Sequence, residues 1–274
     1  MTQDVTDEEM NSLTQSILTR YGIDFTCYEP QSLRRRIIRV LNRFNHESIH
    51  SLWIHFLRTP EFVHVFMNEI SVGMTSMFRD PVLWKNLRTH LQTEYAMKSI
   101  SVWHAGCSTG EEVYSLGILL RESNLARRAK ALATDFNKDA LAEGQKGVYH
   151  KIKMIENETN YRAFNATGDI NKYYTAVDGK HVTMDPTLIN HCTFAYQNLV
   201  TDPFPQQKFD IIFCRNVMIY FDSIAKRKLL DKFHASLNPG GLLIIGFFDA
   251  MSHLIDEHKF DLADEAAKIF KKVA

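Results

Sequence analysis

A regular alternation of short strand patterns with longer helix patterns after residue 98 is the feature that most constrains the fold. The strand patterns are compact apolar runs at residues 99–105, 130–135, 209–216 and 240–248. Helix patterns occupy residues 111–123, 137–147 and 223–237. Chains with this alternation form a mainly parallel sheet with helices packed on its faces. We therefore predict an α/β fold for this part of the chain.

The chain before this region differs, because no strand pattern interrupts its first 80 residues. Apolar side chains recur there at helical spacing, at Met10, Leu13, Ile17 and Tyr21 and again at Leu33, Ile37, Leu41 and Phe44. Thr59 and Pro60 are typical of a helix start, with a capping residue followed by proline at the first helical position. The prediction is a helical domain over residues 1–80 and an α/β domain over residues 81–274.

Residues 146–190 interrupt the strand–helix alternation. They contain many polar and aromatic residues, and Gly168-Asp169 and Asp178-Gly179 are turn signals. We predict a small, irregular, β-rich insertion over residues 148–190, built from short hairpins.

Charge and cysteine usage exclude several classes of protein. The 32 basic and 32 acidic side chains balance, so the chain has no overall attraction to nucleic acid or to a membrane surface. The four cysteines form no paired or metal-ligand spacing, which favours reduced thiols and no metal site. The N-terminus is acidic and polar, and no apolar run approaches the roughly 18 residues of a membrane span. We expect a cytoplasmic protein without membrane insertion.

The first turn of the predicted sheet, residues 104–112, has the sequence HAGCSTGEE. Gly106 lets the backbone bend sharply and approach a ligand, and Thr109 with Glu112 fits a capping box for the next helix. The second strand ends in Asp135, at a spacing at which a carboxylate can bind ribose hydroxyls. These residues indicate a nucleoside ligand at the carboxyl ends of the strands, and on this evidence an NAD site stays open.

Several sequence blocks resemble those of the chemotaxis receptor methyltransferases of the CheR type. The blocks follow the order of that family, and they are MTSMFRD (74–80), STGEEVYS (108–115), ATDFNKDAL (134–141), Gln197-Asn198-Leu199 and FDIIFCRNVMIYFD (209–222). The string CRNVMIYF is close to a family signature. The resemblance implies a Rossmann-like S-adenosylmethionine-dependent methyltransferase domain with an N-terminal helical domain and a small β insertion. It also implies a monomer that methylates glutamate side chains on the cytoplasmic domain of methyl-accepting chemotaxis receptors.

The resemblance further implies which residues hold S-adenosyl-L-methionine and its product, S-adenosyl-L-homocysteine. They are Gly73, Thr75, Arg79, Gly106, Glu112, Asp135, Asn198, Leu199, Arg215 and Asn216. Two departures from the family favour weaker cofactor binding or activity. Gly73 stands where the family has Asn, which removes a hydrogen bond worth about 1 kcal/mol. The run Gly246-Phe247-Phe248-Asp249 stands where the family has Gly-His-Ser-Glu.

The implied reaction needs no general base, because a glutamate carboxylate is already ionised near pH 7. Catalysis is then expected from positioning and from the exclusion of water. Tyr220 is expected nearest the transferred methyl group, and Arg79 and Arg215 are expected to attract the substrate carboxylate. Tyr220 could instead simply pack against the sheet.

An arginine-rich stretch over residues 31–45 is the candidate surface for docking on the receptor. Arg35, Arg39 and Arg43 share one helical face, and Arg36 lies beside them. The pattern alone also fits an ordinary solvated face, or a surface for RNA or anionic lipid. The family resemblance favours the receptor, and no nucleic acid is expected as a partner.

Two other functions remain open from the residues. A methyltransferase for nucleic acid or a small molecule has weak support, because Asp202-Pro203-Phe204 only loosely matches a base-gripping turn. Cys214 lies on the family signature and reads as sheet packing rather than as a nucleophile. A non-catalytic module that binds S-adenosylmethionine or docks on receptors is favoured by Gly73 and by the missing His-Ser-Glu run.

Overall fold

The computed structural model describes residues 5–70, 75–249 and 253–273. The N-terminal part contains four helices: α1 (Asp7–Tyr21), α2 (Pro30–Arg43), α3 (Ile49–Arg58) and α4 (Phe62–Ile70). A capping box between Thr6 and Glu9 begins α1, and Gly22 in the left-handed region ends it. The helical domain expected here is present, and α3 is a helix that the sequence did not predict.

The buried faces of these four helices form one core of their own. The apolar positions predicted for α1 and α2 are its members Met10, Leu13, Ile17, Leu33, Ile37 and Leu41. The predicted start of α4 at Thr59 and Pro60 was two residues early, since both lie in the preceding turn and the Thr59 carbonyl accepts the Phe62 amide. The division of the chain at residue 80 stays a prediction.

A seven-stranded sheet forms the centre of the second part, with the strand order β6-β2-β1-β7-β8-β10-β9. Its strands are β1 (Ile100–Ala105), β2 (Ala129–Asp135), β6 (Cys192–Tyr196), β7 (Phe209–Cys214), β8 (Leu237–Ile245), β9 (Phe260–Asp264) and β10 (Ile269–Lys272). Strands β6, β2, β1, β7 and β8 pair in parallel, whereas β10 and β9 are antiparallel. The predicted parallel α/β sheet is thus confirmed.

Both faces of the sheet are covered, as a parallel sheet requires. The covering helices are α5 (Pro81–Glu94), α6 (Glu111–Glu122), α7 (Lys138–Lys146) and α9 (Ser223–Ser236). One apolar core contains Trp84 and Phe213, and a second on the opposite face contains Trp103 and Phe233. The order of strands reverses between β1 and β7, which creates a crevice beyond their carboxyl ends.

The predicted insertion is present, but its description as hairpins alone was wrong. It contains β3 (Val148–His150), the 14-residue helix α8 (Lys151–Phe164), β4 (Tyr174–Ala176) and β5 (His181–Met184). The three strands form a small antiparallel sheet in the order β3-β5-β4. Helix α8 packs under α5 and buries Met154, Asn157, Tyr161 and Phe164.

The two parts of the chain join through the segment between α1 and α2. An isolated antiparallel bridge pairs Tyr28 with Phe221, and their rings meet edge to face at 5.3 Å. The Glu29 amide donates to the Tyr220 carbonyl, and the Asp222 amide donates to the Cys27 carbonyl. Because these bonds bracket Phe221 and one of them is accepted by Tyr220, the helical domain lies beside Tyr220. Within the described ranges, no helix is both long and apolar enough to cross a bilayer.

Candidate cofactor and substrate site

The main cavity lies at the carboxyl ends of β1, β2, β6 and β7, where the strand order reverses. Its volume is about 530 Å³, which is within the range of small-molecule sites. The turns after these strands form its floor, and the helical domain supplies the facing wall through Phe25, Tyr28, Arg36 and Asn68. The cavity is therefore a cleft between the two parts of the chain.

The turn after β1 brings the backbone close to the loop after β7. Gly106 has a φ of +87°, and a Cβ at this position would lie 2.4 Å from Val217 Cγ2. Only glycine fits both the backbone conformation and the space. The predicted capping box of Thr109 and Glu112 was wrong, because Gly110 is the N-cap of α6 and makes no side-chain capping bond.

Asp135 closes the side of the cavity at the end of β2. Its carboxylate accepts the Ser108 amide at 2.8 Å and the Asn137 amide at 2.9 Å, one bond to each oxygen. Burial raises the pKa of Asp135, and hydrogen bonds from the amides of Asn137, Ser108 and Phe136 oppose that rise. A carboxylate has about four acceptor positions, so these three amides leave about one for a ligand hydroxyl.

Glu112 turns away from the start of α6 and enters a buried ionic network. One carboxylate oxygen lies 2.7 Å from His104 Nδ1, and the other lies 3.1 Å from an amino group of Arg215. Burial raises the pKa of Glu112, but the bond and charge of His104 and the charge of Arg215 outweigh it, so the pKa is lowered overall. Glu112 is thus held as a carboxylate at the cavity wall.

Arg215 connects this network to the segment before α5. Its guanidinium also contacts Asp80 at 2.7 Å and donates to the Arg79 carbonyl at 2.9 Å. The side chain is 5% exposed. With two carboxylates already bound, Arg215 is better placed to hold Glu112 and residues 79–80 in position than to capture a further anion.

The loop after β6 carries the next pair of predicted residues. The Asn198 amide oxygen accepts from the Val200 amide at 2.9 Å, and the Asn198 backbone amide donates to Asp202 at 2.8 Å. Leu199 is buried against the cavity. Asn198 is therefore a turn residue that also lines the cavity.

The loop after β7 brings its residues into the cavity through an unusual backbone path. Asn216 has a φ of +59°, and the following 3₁₀ turn Met218–Tyr220 places Ile219 and Tyr220 on the wall. The Arg36 guanidinium lies over the Tyr220 ring, 4.0 Å from its centroid. This contact joins α2 to the predicted methyl-transfer position.

The predicted site residues fall into three groups. Those that line the one cavity are Thr75, Arg79, Gly106, Glu112, Asp135, Asn198, Leu199, Arg215, Asn216, Tyr220 and Arg36. Arg35, Arg39 and Arg43 lie outside it, exposed on α2. Gly73 lies outside the described residues. What the cavity residues bind stays a prediction, but Arg36 is half-buried in the cavity wall rather than on the outer face with its neighbours.

The cavity also contains residues that were not among the predicted site residues. They include Tyr28, Asn68, Phe136, Gln197, Val217 and Phe248. Phe136 directly follows Asp135, so its position at a strand end was a usable signal. Tyr28 and Asn68 carry no such signal, because they reach the cavity only through the packing of the helical domain.

Two family models match the chain. One is described as "CheR methyltransferase, SAM binding domain" and covers residues 73–268, and the other as "CheR methyltransferase, all-alpha domain" and covers residues 8–71. A Pseudomonas putida protein that carries the name methyltransferase Cher3 is 35% identical to this chain, over 97% of the length of each. The chemotaxis protein methyltransferase of Listeria innocua is 30% identical over 85% of this chain and 86% of its own length. That of Escherichia coli is 28% identical over 98% of this chain and 92% of its own. With its α-helical and S-adenosylmethionine-binding domains both matched, the chain belongs to the CheR methyltransferase family.

Proposed function

We propose that the chain transfers a methyl group from S-adenosylmethionine to glutamate side-chain carboxylates of chemoreceptors, as a protein-glutamate O-methyltransferase. The observation that carries the proposal is that the predicted cofactor residues line the same cavity as Tyr220 and Arg36. The exposed arginines Arg35, Arg39 and Arg43 lie on the same helix as Arg36. We further propose that the enzyme acts as a monomer in the cytoplasm, where the receptor domains that it would methylate are found.

The cavity residues suit S-adenosylmethionine by their chemistry. Asp135 offers its remaining acceptor position to a ribose hydroxyl, and Glu112 offers a carboxylate to the amino group of the methionine part. Leu199 and Phe136 supply apolar surface for a purine ring. When bound, this cofactor supplies an electrophilic methyl group on a sulfonium.

The residues of the chain would act by placing the glutamate rather than by moving a proton. The ionised carboxylate is itself the nucleophile, and the transfer gives a methyl ester and S-adenosylhomocysteine without proton transfer. Tyr220 would orient the carboxylate at the mouth of the cavity. Arg79 and Arg36 would attract its charge, whereas Arg215 would hold the cofactor-facing Glu112 in place.

The decisive experiment is transfer of radiolabelled methyl groups to receptor-containing membranes. We expect label on the receptor that base releases, as a methyl ester requires. Binding of S-adenosylhomocysteine without any transfer would instead support the non-catalytic module. Label that resists base or appears on nucleic acid would support a methyltransferase of another substrate class.

Tyr220 and Arg79 can be tested within that assay. Tyr220→Phe and Arg79→Ala are each expected to reduce kcat by roughly tenfold, because each removes one positioning contact. Tyr174→Phe, in the β insertion, is the matched control and should transfer at the wild-type rate. Circular dichroism checks that the fold is intact, and wild-type turnover in either site variant would remove that residue's role.

The receptor-facing surface needs a separate test. Arg39 and Arg43 contact Glu69 of α4, through its carbonyl and its carboxylate respectively, while Arg35 and Arg39 remain exposed. We expect Arg35→Glu with Arg39→Glu to raise KM for receptors by at least about tenfold, and added salt to weaken wild-type transfer. The control is Arg127→Glu, in the 3₁₀ turn that leads into the amino end of β2, whereas the cavity lies at the carboxyl ends of the strands. Equal KM values for the two variants would exclude docking through α2.

A further inference from the structure

Asp249 is a fully buried carboxylate directly beneath the loop that carries Tyr220. It follows β8, and in the sequence it appears only as part of a departure from the family pattern. Its Oδ2 accepts the Asn216 amide at 2.8 Å and the Gly246 amide at 2.6 Å. Its Oδ1 accepts the Ile219 amide at 3.1 Å.

These hydrogen bonds hold the parts of the loop that receive no stabilising side-chain bond from within the loop itself. Asn216 has a positive φ, and the 3₁₀ turn after it has no side-chain cap of its own. Left-handed backbone is uncommon for residues other than glycine, although asparagine adopts it more readily than most, and a bond to its amide holds Asn216 in this conformation. The Asp249 carboxylate binds the loop at both ends of the bend, at Asn216 and at Ile219.

The neighbouring glycine shows how closely the carboxylate and the loop are packed. A Cβ on Gly246 would lie 2.6 Å from the Asn216 nitrogen and 2.7 Å from Asp249 Oδ2. No water or larger side chain fits between these groups. The loop position is therefore set by direct contact with Asp249.

We propose that Asp249 is a positioning residue for methyl transfer, which acts by holding the backbone of residues 216–219 so that Tyr220 faces the reacting groups. The proposal rests on the proposed function for its activity readout. Asp249 itself lies under the cavity wall rather than in it, so it does not touch the cofactor or the substrate. The adjacent Phe248 does line the cavity.

The test compares Asp249→Asn, which replaces one acceptor oxygen by an amide donor, with Asp249→Glu, which keeps the carboxylate. Leu229→Ala, in the core under the same sheet face, is the control for general destabilisation. For Asp249→Asn we expect kcat to fall by about tenfold or more, while KM for receptors stays within about threefold. Asp249→Glu should retain more activity than Asp249→Asn. Leu229→Ala should lower Tm without changing kcat below the transition.

Two readouts separate positioning from a purely structural role. In the Tyr220→Phe background, Asp249→Asn should reduce kcat by less than about threefold, because both changes act through one side chain. Hydrogen exchange of the Asn216 and Ile219 amides should accelerate by about tenfold or more in Asp249→Asn and not in Leu229→Ala. The exchange measurement needs no substrate, so it decides the proposal even if receptor methylation fails.

Three results would overturn the proposal. One is a kcat for Asp249→Asn within about twofold of wild type. The second is unchanged exchange of the loop amides. The third is equal activity loss in Asp249→Asn and Leu229→Ala at equal Tm. If Asp249→Asn does not fold, the same criteria apply to Gly246→Ala, which displaces the loop from the other side.

Discussion

At Gly106 the backbone φ of +87° and the nearby Val217 side chain both act against any larger residue. We predict that Gly106→Ala lowers the free energy of unfolding by about 2 kcal/mol or more, from backbone strain and the methyl contact together. Adding Val217→Ala should recover only the contact part. Urea denaturation of the single and double variants measures both contributions.

The matched control for Gly106 is Gly22, where φ is also positive but a Cβ would meet nothing within 4 Å. Gly22→Ala should therefore cost only the backbone term, on the order of 1 kcal/mol. Equal costs at the two glycines would show that Val217 yields, and that the two loops do not approach as closely as described.

Individual residues also show how much of the site could be predicted from the sequence. Asp135 could be predicted from the residues, because it ends a strand of the predicted parallel sheet, whereas Asn198 and Arg215 were implied by the family resemblance. All three lie at the carboxyl edge of the sheet. Asp249 also follows a strand, yet its role depends on three amides of a loop distant in sequence. Glu112 lines the cavity, as the family resemblance implied, but the separate prediction that it caps a helix was wrong, since His104 and Arg215 bind it.

At the scale of elements, the strands next to sequence motifs were predictable and several others were not. Helix α8 was missed because Asn157 interrupts an otherwise apolar buried stripe, and turn signals follow it. Strands β9 and β10 are short, and most of β9 is exposed, so neither has a clear alternating pattern. The pairing of β10 with β8 and of β9 with β10 is decided by the sheet edge, which the local sequence does not encode.

Strand β6, at the edge of the sheet, gives the chain a predictable sensitivity to acid. His191 precedes it, and burial with a smaller effect from His104 lowers the pKa of His191 from 6.5 to about 4. The folded state resists protonation of this residue, so its stability is fully present above pH 6.5 and declines as pH falls toward 4. We expect His191 to account for a loss of roughly 2 kcal/mol between pH 7 and pH 5.

Denaturation of wild type and His191→Gln across that pH interval isolates the effect. As pH falls, the free energy of unfolding should decrease more steeply for wild type than for His191→Gln. His258→Gln, at an exposed position, should follow wild type throughout. Parallel curves for wild type and His191→Gln would mean that His191 is solvated in the folded protein.

For the whole molecule, the cavity between the two parts of the chain makes them one ligand-binding unit. The contacts that join them include the Tyr28–Phe221 bridge, the Arg36–Tyr220 stack and a 2.7 Å hydrogen bond from Asn68 to Asp139. We predict a single calorimetric transition. S-adenosylhomocysteine at one hundred times its Kd should stabilise that transition as a whole, by about 2.7 kcal/mol.

Calorimetry with and without S-adenosylhomocysteine distinguishes this from independent domains. Two transitions, of which the ligand moves only one, would show that the helical wall does not share in binding. If the domains are independent, Tyr28→Ala should leave the separation of the two transitions unchanged. In a coupled molecule, the same substitution should begin to split the single transition.

The bridge at Tyr28 and Phe221 also limits how such proteins can be recombined. An N-terminal domain grafted from a relative onto this α/β domain would bring its own residues to the positions of Tyr28, Arg36 and Asn68. Those three positions face a cavity whose other walls would be unchanged. A functional chimera would therefore need a crossover chosen so that these interface positions are compatible. A junction drawn only between the two family domains would exchange part of the cavity wall along with the arginine-rich helix α2.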